Sequence, residues 1–243
     1  MNIVAIGGGE LRLKETLPID RHIVSLTKKR RPRALLIPTA SGDSPRYPEC
    51  FERIYGKILG CRTESLLLLR DAADRRNARR KIREADLIYV GGGNTLRMMM
   101  LWRRLGVDDM LRDAARAGTV MSGLSAGAIC WFEWGDSDSR RSSAEGHWDY
   151  IRVRGLGLCP GIFCPHLGSE RRHAAFKRMV ARTKLPGLAC DDNAAIWYHK
   201  DGATCLNSRI GAMAHLYRTQ DGKVGIERFG NGEAIPVTGH SEA

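Results

Sequence analysis

Short, uninterrupted apolar runs alternate with amphipathic stretches over the first half of the chain. Ile3-Val4-Ala5-Ile6 stops at Gly7-Gly8-Gly9, the pattern of a buried strand and a tight turn. Helical spacing over residues 18–29 leads to a second apolar run over 33–37, closed by Pro38 and the polar segment 39–44. The same alternation predicts a helix over 48–59, a strand over 63–69, a helix over 77–84 and a strand over 86–90. That strand feeds Gly91-Gly92-Gly93-Asn94-Thr95, which is followed by helices over 96–105 and 107–117 and a fifth strand over 119–123. Strands that read as continuous apolar runs between helices belong to a parallel sheet covered on both faces. The expected fold class is therefore α/β: a doubly wound, mostly parallel sheet flanked by helices. Beyond residue 133 the alternation loosens, and residues 188–190, 194–198 and 214–217 predict later strands, some of them antiparallel. No Pro/Ser-rich linker and no repeat interrupts the 243 residues, so a single domain over 1–243 is expected.

Composition narrows the class. With 43% hydrophobic and 27% charged residues the chain is neither disordered nor collagen-like. No apolar run reaches the roughly 18–20 residues that span a bilayer, and the N-terminus meets glycine without a basic leader segment. Seven cysteines, an odd number with no CxxC pair, argue against a disulfide framework or a zinc ribbon. A reducing cytoplasm is the expected location, with no membrane partner, metal or organic cofactor. The formal net charge of +12 raises the question of nucleic acid. The basic residues are dispersed, however, in groups such as Lys28-Lys29-Arg30-Arg31, Arg75-Arg76 and Arg103-Arg104, and no nucleic-acid-binding motif accompanies them. A solvated face accounts for them better.

The chemistry-bearing signal is Gly123-Leu124-Ser125-Ala126-Gly127, a G-x-S-x-G after a predicted strand and before a predicted helix over 126–132. That is the setting of a nucleophile elbow, although the same residues also occur in plain tight turns. The sharp turn presents the Ser125 hydroxyl at the carboxyl edge of the sheet and leaves the Ala126 N–H free to meet a developing oxyanion. Gly91-Gly92-Gly93-Asn94 ends the neighbouring strand, and its N–H groups are a second source of oxyanion donors. Serine needs a base, and histidines stand at 22, 147, 166, 173, 199, 215 and 240. His166 fits best, because it follows the apolar Ile162-Phe163-Cys164-Pro165 and opens a polar loop; His147 is its rival. The orienting carboxylate comes from Asp191 and Asp192, at the end of a strand-like segment, or from Asp136 and Asp138. Spacing leaves both pairs open.

Val90-Gly91-Gly92-Gly93-Asn94-Thr95, Gly123-Leu124-Ser125-Ala126-Gly127-Ala128 and Cys164-Pro165-His166, in this order, resemble peptidase E, the aspartyl dipeptidase family of serine peptidases related to cyanophycinase. The resemblance spans about residues 1–210. It implies a fold similar to the class I glutamine amidotransferases, with Ser125 as nucleophile, His166 as base, and Gly92, Gly93 and Ala126 as oxyanion donors. The family's first-described acid lies in the loop after the elbow, where this chain carries Arg140. Other members resemble a Ser-His-Glu arrangement whose acid corresponds to Asp192, which is favoured here over Asp191 and Asp136. The resemblance further implies a small peptide substrate with an N-terminal acidic residue, such as an Asp-X dipeptide. Arg171 and Arg172 are then the expected carboxylate clamps, and Asn94 a further substrate contact. A monomer or homodimer is expected. Two other readings compete: an amidase or amidotransferase-like enzyme using Cys130, and a non-catalytic binder of acidic ligands.

Overall fold

The computed structural model describes residues 1–70, 74–140 and 150–237. Its first half follows the expected alternation: β1 (Ile3–Ile6), α1 (Leu17–Leu26), β2 (Arg33–Ile37), α2 (Arg46–Phe51), β3 (Arg62–Ser65), α3 (Arg75–Glu84), β4 (Leu87–Val90), α4 (Thr95–Leu105), α5 (Val107–Arg116) and β5 (Val120–Leu124). Helix α2 runs on as a π-helical stretch over Glu52–Ile58. The second half is strand-rich: the one-turn helix α6 (Ala126–Ile129), β6 (Phe132–Ser137), β7 (Ile151–Arg154), β8 (Cys159–Cys164), α7 (Glu170–Thr183), β9 (Gly187–Cys190), β10 (Ala194–His199), β11 (Gly202–Asn207), β12 (Ala214–Gln220), β13 (Lys223–Phe229) and β14 (Ala234–Ile235).

Two sheets result. The larger has the order β14-β11-β10-β1-β5-β4-β2-β3 and the smaller β13-β12-β9-β8-β6-β7. The expected parallel sheet is the block β1-β5-β4-β2-β3. β10 then adds antiparallel to β1, and β11 and β14 extend that antiparallel edge. Because β1 lies between β5 and β10, it is buried on both faces. Ile3 and Ala5 join one apolar cluster, which also holds Phe163 and Leu216 of the smaller sheet, and Val4 and Ile6 join another beneath α1. That two-sided burial is why the segment reads as an unbroken apolar run.

Two elements depart from the expectation. The third strand ends at Ser65 rather than 69, since β3 is an edge strand paired only with β2; Leu66 and Leu68 are still buried, but in a loop. The helix after the elbow is one turn instead of two. The Cys130 carbonyl accepts from the Leu156 N–H, and the Trp131 carbonyl from those of Leu158 and Cys159, which draws the chain into β6. No helix among the described residues is long and apolar enough to cross a membrane.

Parallel strands bring their carboxyl ends to one edge, so Gly7 after β1, Gly91 after β4 and Ser125 after β5 share one side of the sheet. Beneath it, Asp20 of α1 is fully buried and accepts hydrogen bonds from the Tyr55 hydroxyl (2.8 Å) and the Thr16 hydroxyl (2.8 Å). Burial pushes its carboxyl up to about 7, against the opposing hydrogen bonds. A carboxyl raised in the folded state contributes stability below its ordinary range and loses it as pH climbs through the raised value. Asp20→Asn, which removes the ionisation at similar shape, should therefore gain on the wild type in Tm between about pH 5 and about pH 8. Thermal melts across that range check this, and a constant difference would show Asp20 already ionised throughout.

Candidate active site

Ser125 stands between β5 and α6 with φ 56° and ψ −112°, a conformation that a non-glycine residue holds only when its surroundings enforce it. The enforcing contacts are close backbone approaches. A Cβ on Gly123 would run into the carbonyl of Gly127, and one on Gly127 into the carbonyl of Val90 at the end of β4. The two glycines of G-x-S-x-G thus let the turn close against the neighbouring strand, and the half-buried Ser125 side chain stays at the sheet edge.

The end of β1 gathers the candidate base, His166, and the candidate carboxylate, Asp192. The Ile6 carbonyl accepts from the Ser125 N–H (3.0 Å), the Gly7 carbonyl from the His166 N–H (3.2 Å), and the Gly8 carbonyl from the Asn193 N–H (3.0 Å). Three consecutive carbonyls therefore hold the elbow, the loop after β8 and the turn between β9 and β10. On the far side of that register His166 Nδ1 lies 2.6 Å from Asp192 Oδ1, a hydrogen-bond distance. This bond is the main cause holding the Asp192 carboxyl below its ordinary range, with half-burial opposing it. A Cβ on Gly8 would strike both the Asp192 carboxylate and the His166 ring, so only glycine leaves room for the pair. The triplet Gly7-Gly8-Gly9, ambiguous in the sequence, is the floor of this site. The signal for it was the strand end shared with the elbow.

The structure separates the remaining acids from His166. Asp191 Oδ1 faces His215 Nε2 at 3.2 Å and its Oδ2 accepts from the Met213 N–H, so it braces β12. Asp136 is buried in β6. Its Oδ2 lies 3.6 Å from Arg172 Nε and accepts from the Cys164 thiol at 3.2 Å. Of the other histidines, His22 packs edge-on against Trp197, His173 bonds the Tyr217 hydroxyl, and His199 lies 3.1 Å from the Thr204 hydroxyl. His147 and His240 lie outside the described residues.

Three of the residues expected to face the substrate have partners within the fold. Arg172 is buried: its Nη2 donates to the Asp136 carbonyl (2.9 Å) and its guanidinium stacks on Tyr150, so it is an internal brace rather than an open clamp. Asn94 caps α4, accepting from the Arg97 N–H (2.9 Å), and donates through Nδ2 to the Ser139 carbonyl (3.1 Å). Both ends of its amide are committed to the fold. The Gly92 N–H donates to the Tyr47 hydroxyl at 3.3 Å, so this oxyanion donor has a partner at rest, and Tyr47 is a site residue that the sequence did not announce. Arg171 is exposed at the start of α7. Gly93 (φ 139°) packs onto the Ala40 carbonyl, which also accepts from the Asn94 N–H (2.8 Å). Ala126 opens α6, where an N–H has no partner within the helix.

Cys130 does not supply an alternative nucleophile. It is fully buried, its thiol donates to the Gly127 carbonyl (3.1 Å), and burial pushes that thiol well above its ordinary range. Among the described residues no group of three or more His, Cys, Asp or Glu side chains could hold a metal ion.

The sequence profile of peptidase family S51 matches residues 3–206. The chain belongs to peptidase family S51. It is a serine-type peptidase by that membership, and its relatives carry corresponding names. An uncharacterized peptidase of Bacillus subtilis (strain 168), YgaJ, is 36% identical over 217 residues, covering 88% of this chain and 90% of the relative. The peptidase E of Shewanella denitrificans is 24% identical over 143 residues, covering 55% and 59%. In fold, the chain superimposes on a peptidase from an acI-B1 Actinobacterium with a TM-score of 0.72 at 18% identity, covering 96% of each chain. A Listeria monocytogenes EGD-e protein named for peptidase E gives 0.64 at 20% identity, covering 85% of this chain and 98% of its own.

The left-handed turn at Ser125 has a measurable signature. Ser125→Gly, which tolerates φ 56°, should be more stable than Ser125→Ala by about 1 kcal/mol despite glycine's greater freedom when unfolded. Denaturant titration of the two variants checks this, and equal or reversed stabilities would mean that the turn is unstrained.

Proposed function

We propose that this S51 peptidase hydrolyses short peptides bearing an N-terminal acidic residue, Asp-X dipeptides foremost, with Ser125, His166 and Asp192 as its triad. The reading rests chiefly on the 2.6 Å bond between His166 Nδ1 and Asp192 Oδ1, formed on the same strand end that holds Ser125. Nδ1 being occupied by the carboxylate, the imidazole keeps its proton there and turns the basic Nε2 to the reaction.

In the first step Ser125 Oγ attacks the scissile carbonyl carbon while its proton passes to His166 Nε2. The carbonyl π electrons move onto oxygen, and N–H groups beside the elbow, Ala126 and Gly93 foremost, hold the oxyanion. Collapse of this tetrahedral species breaks the C–N bond, and the proton on His166 leaves with the amine. A water molecule then repeats the sequence on the acyl-enzyme, giving the free acid and regenerating Ser125. Asp192 stays ionised throughout and stabilises the imidazolium formed twice per turnover. None of these steps needs a group the chain does not provide. All seven cysteines are free, which suits a cytoplasmic enzyme acting on small peptides.

Wild type and Ser125→Ala assayed side by side on Asp-X, Glu-X, Asn-X, Ala-X and β-aspartyl dipeptides test this. Asp-X turnover is expected to fall about a thousandfold or more in the variant and to resist thiol alkylation. Absence of Asp-X turnover by a folded wild type would remove the substrate assignment, and turnover surviving Ser125→Ala would remove the triad.

A further inference from the structure

Beside the elbow lies a cleft of about 360 Å³ that the triad does not use. Gly92 and Leu124, the latter adjoining Ser125, form its inner wall, and Arg12, Arg46, Tyr47 and Cys50 line the rest. Arg12 sits in the 3-10 turn Leu11–Leu13, held in place where the Arg53 guanidinium donates to the Arg12 carbonyl (2.8 Å). Arg46 is the first residue of α2.

Two guanidinium groups and one carboxylate, that of Glu10, line this cleft, leaving it net positive. Both arginines are exposed, and neither forms an ion pair among the described residues. Glu10 also borders the cleft, but its Oε1 accepts from the Arg12 N–H (3.2 Å), capping the turn. The Cys50 thiol is pushed up, mainly by burial, so it brings no negative charge. Burial also pushes the Tyr47 hydroxyl up to about 12, so it remains a neutral donor whose oxygen already accepts from the Gly92 N–H. Two guanidinium groups and a phenol O–H, sharing a wall with the nucleophile, form a receptor for an anion.

Resting on the function proposed above, we propose that Arg12 and Arg46 are the specificity residues of the reaction: they receive the side-chain carboxylate of the residue whose carbonyl Ser125 attacks. They take the role that the sequence suggested for Arg171 and Arg172, the second of which is buried against Asp136. An acidic side chain entering the cleft gains a charge-assisted pairing with the guanidinium groups that a neutral isostere does not, and the gain falls on the acyl side of the scissile bond.

The test compares Asp-X with Asn-X, which differ by charge at nearly equal shape, in the wild type and in Arg12→Gln, Arg46→Gln and the double variant. The ratio of kcat/KM for Asp-X over Asn-X is expected to fall about tenfold or more in the double variant, as for loss of a charge-assisted hydrogen bond. A second arm needs no turnover. Calorimetric binding of L-aspartate to Ser125→Ala is expected to weaken by a similar factor when Arg12→Gln and Arg46→Gln are added. An unchanged Asp-X over Asn-X ratio, or aspartate binding indifferent to both substitutions or absent from Ser125→Ala, overturns the assignment. A wild type that cleaves Asn-X as well as Asp-X in a Ser125-dependent manner would also overturn it while leaving the triad standing. Asp-X turnover that survives Ser125→Ala would instead strike the triad.

Discussion

Three successive peptide carbonyls at the end of β1 do most to create this site. Ile6, Gly7 and Gly8 each accept one backbone hydrogen bond, from Ser125, His166 and Asn193, which are far apart in sequence. A backbone hydrogen bond is worth only about 1 kcal/mol net, but position matters more here than energy. Each bond sets the height of one segment against a strand buried on both faces, and packed interiors leave such a strand little freedom to slide. Ser125, His166 and Asp192 take their relative placement from the register of a single extended strand end, and Gly8 is there because a side chain would fill the space that the His166–Asp192 pair occupies.

The buried polar groups around this frame divide into those that hold it and those left to act. Arg172 and Asp136 form an ion pair with almost no access to solvent, bracing α7 against the smaller sheet. A pair of this kind contributes little net stability, but losing one partner would strand the other charge. Asp191 and His215 do similar work between β9, β12 and the turn that carries Asp192. Adjacent aspartates in one turn thus serve different ends: the first ties the turn to β12 and the second reaches His166.

Most of the parallel block was legible in the sequence, because a strand covered on both faces reads as a nearly continuous apolar run; β1 and β4 are wholly apolar, and β5 departs only at Ser122 and Gly123. The elbow was legible from the strand before it, and His166 from the apolar segment it follows; spacing left the carboxylate open, Asp192 being favoured by resemblance alone, and the structure pairs it with His166. The smaller sheet was legible only in part, since β9 and β12 were expected but β6, β7 and β13 were not. β13 has mostly exposed residues, and β7 buries only Val153, so neither carries a strong periodic signal. Nor could spacing reveal that Arg172 turns inward, that Asn94 caps a helix, or that the Tyr47 hydroxyl, 45 residues away, receives the Gly92 N–H. Those facts depend on which segments meet in space.

The placement of β1 also has a consequence for the timing of synthesis. The strand end that carries the three carbonyls is synthesised before the groups that bond to it, at 125, 166 and 193. β1 must wait for β10 to cover its second edge, and contacts that distant in sequence form slowly. A nascent chain therefore carries the Ser125 turn well before the His166–Asp192 pair can be seated beside it. The edge is complete only once β10, made after both, closes on β1.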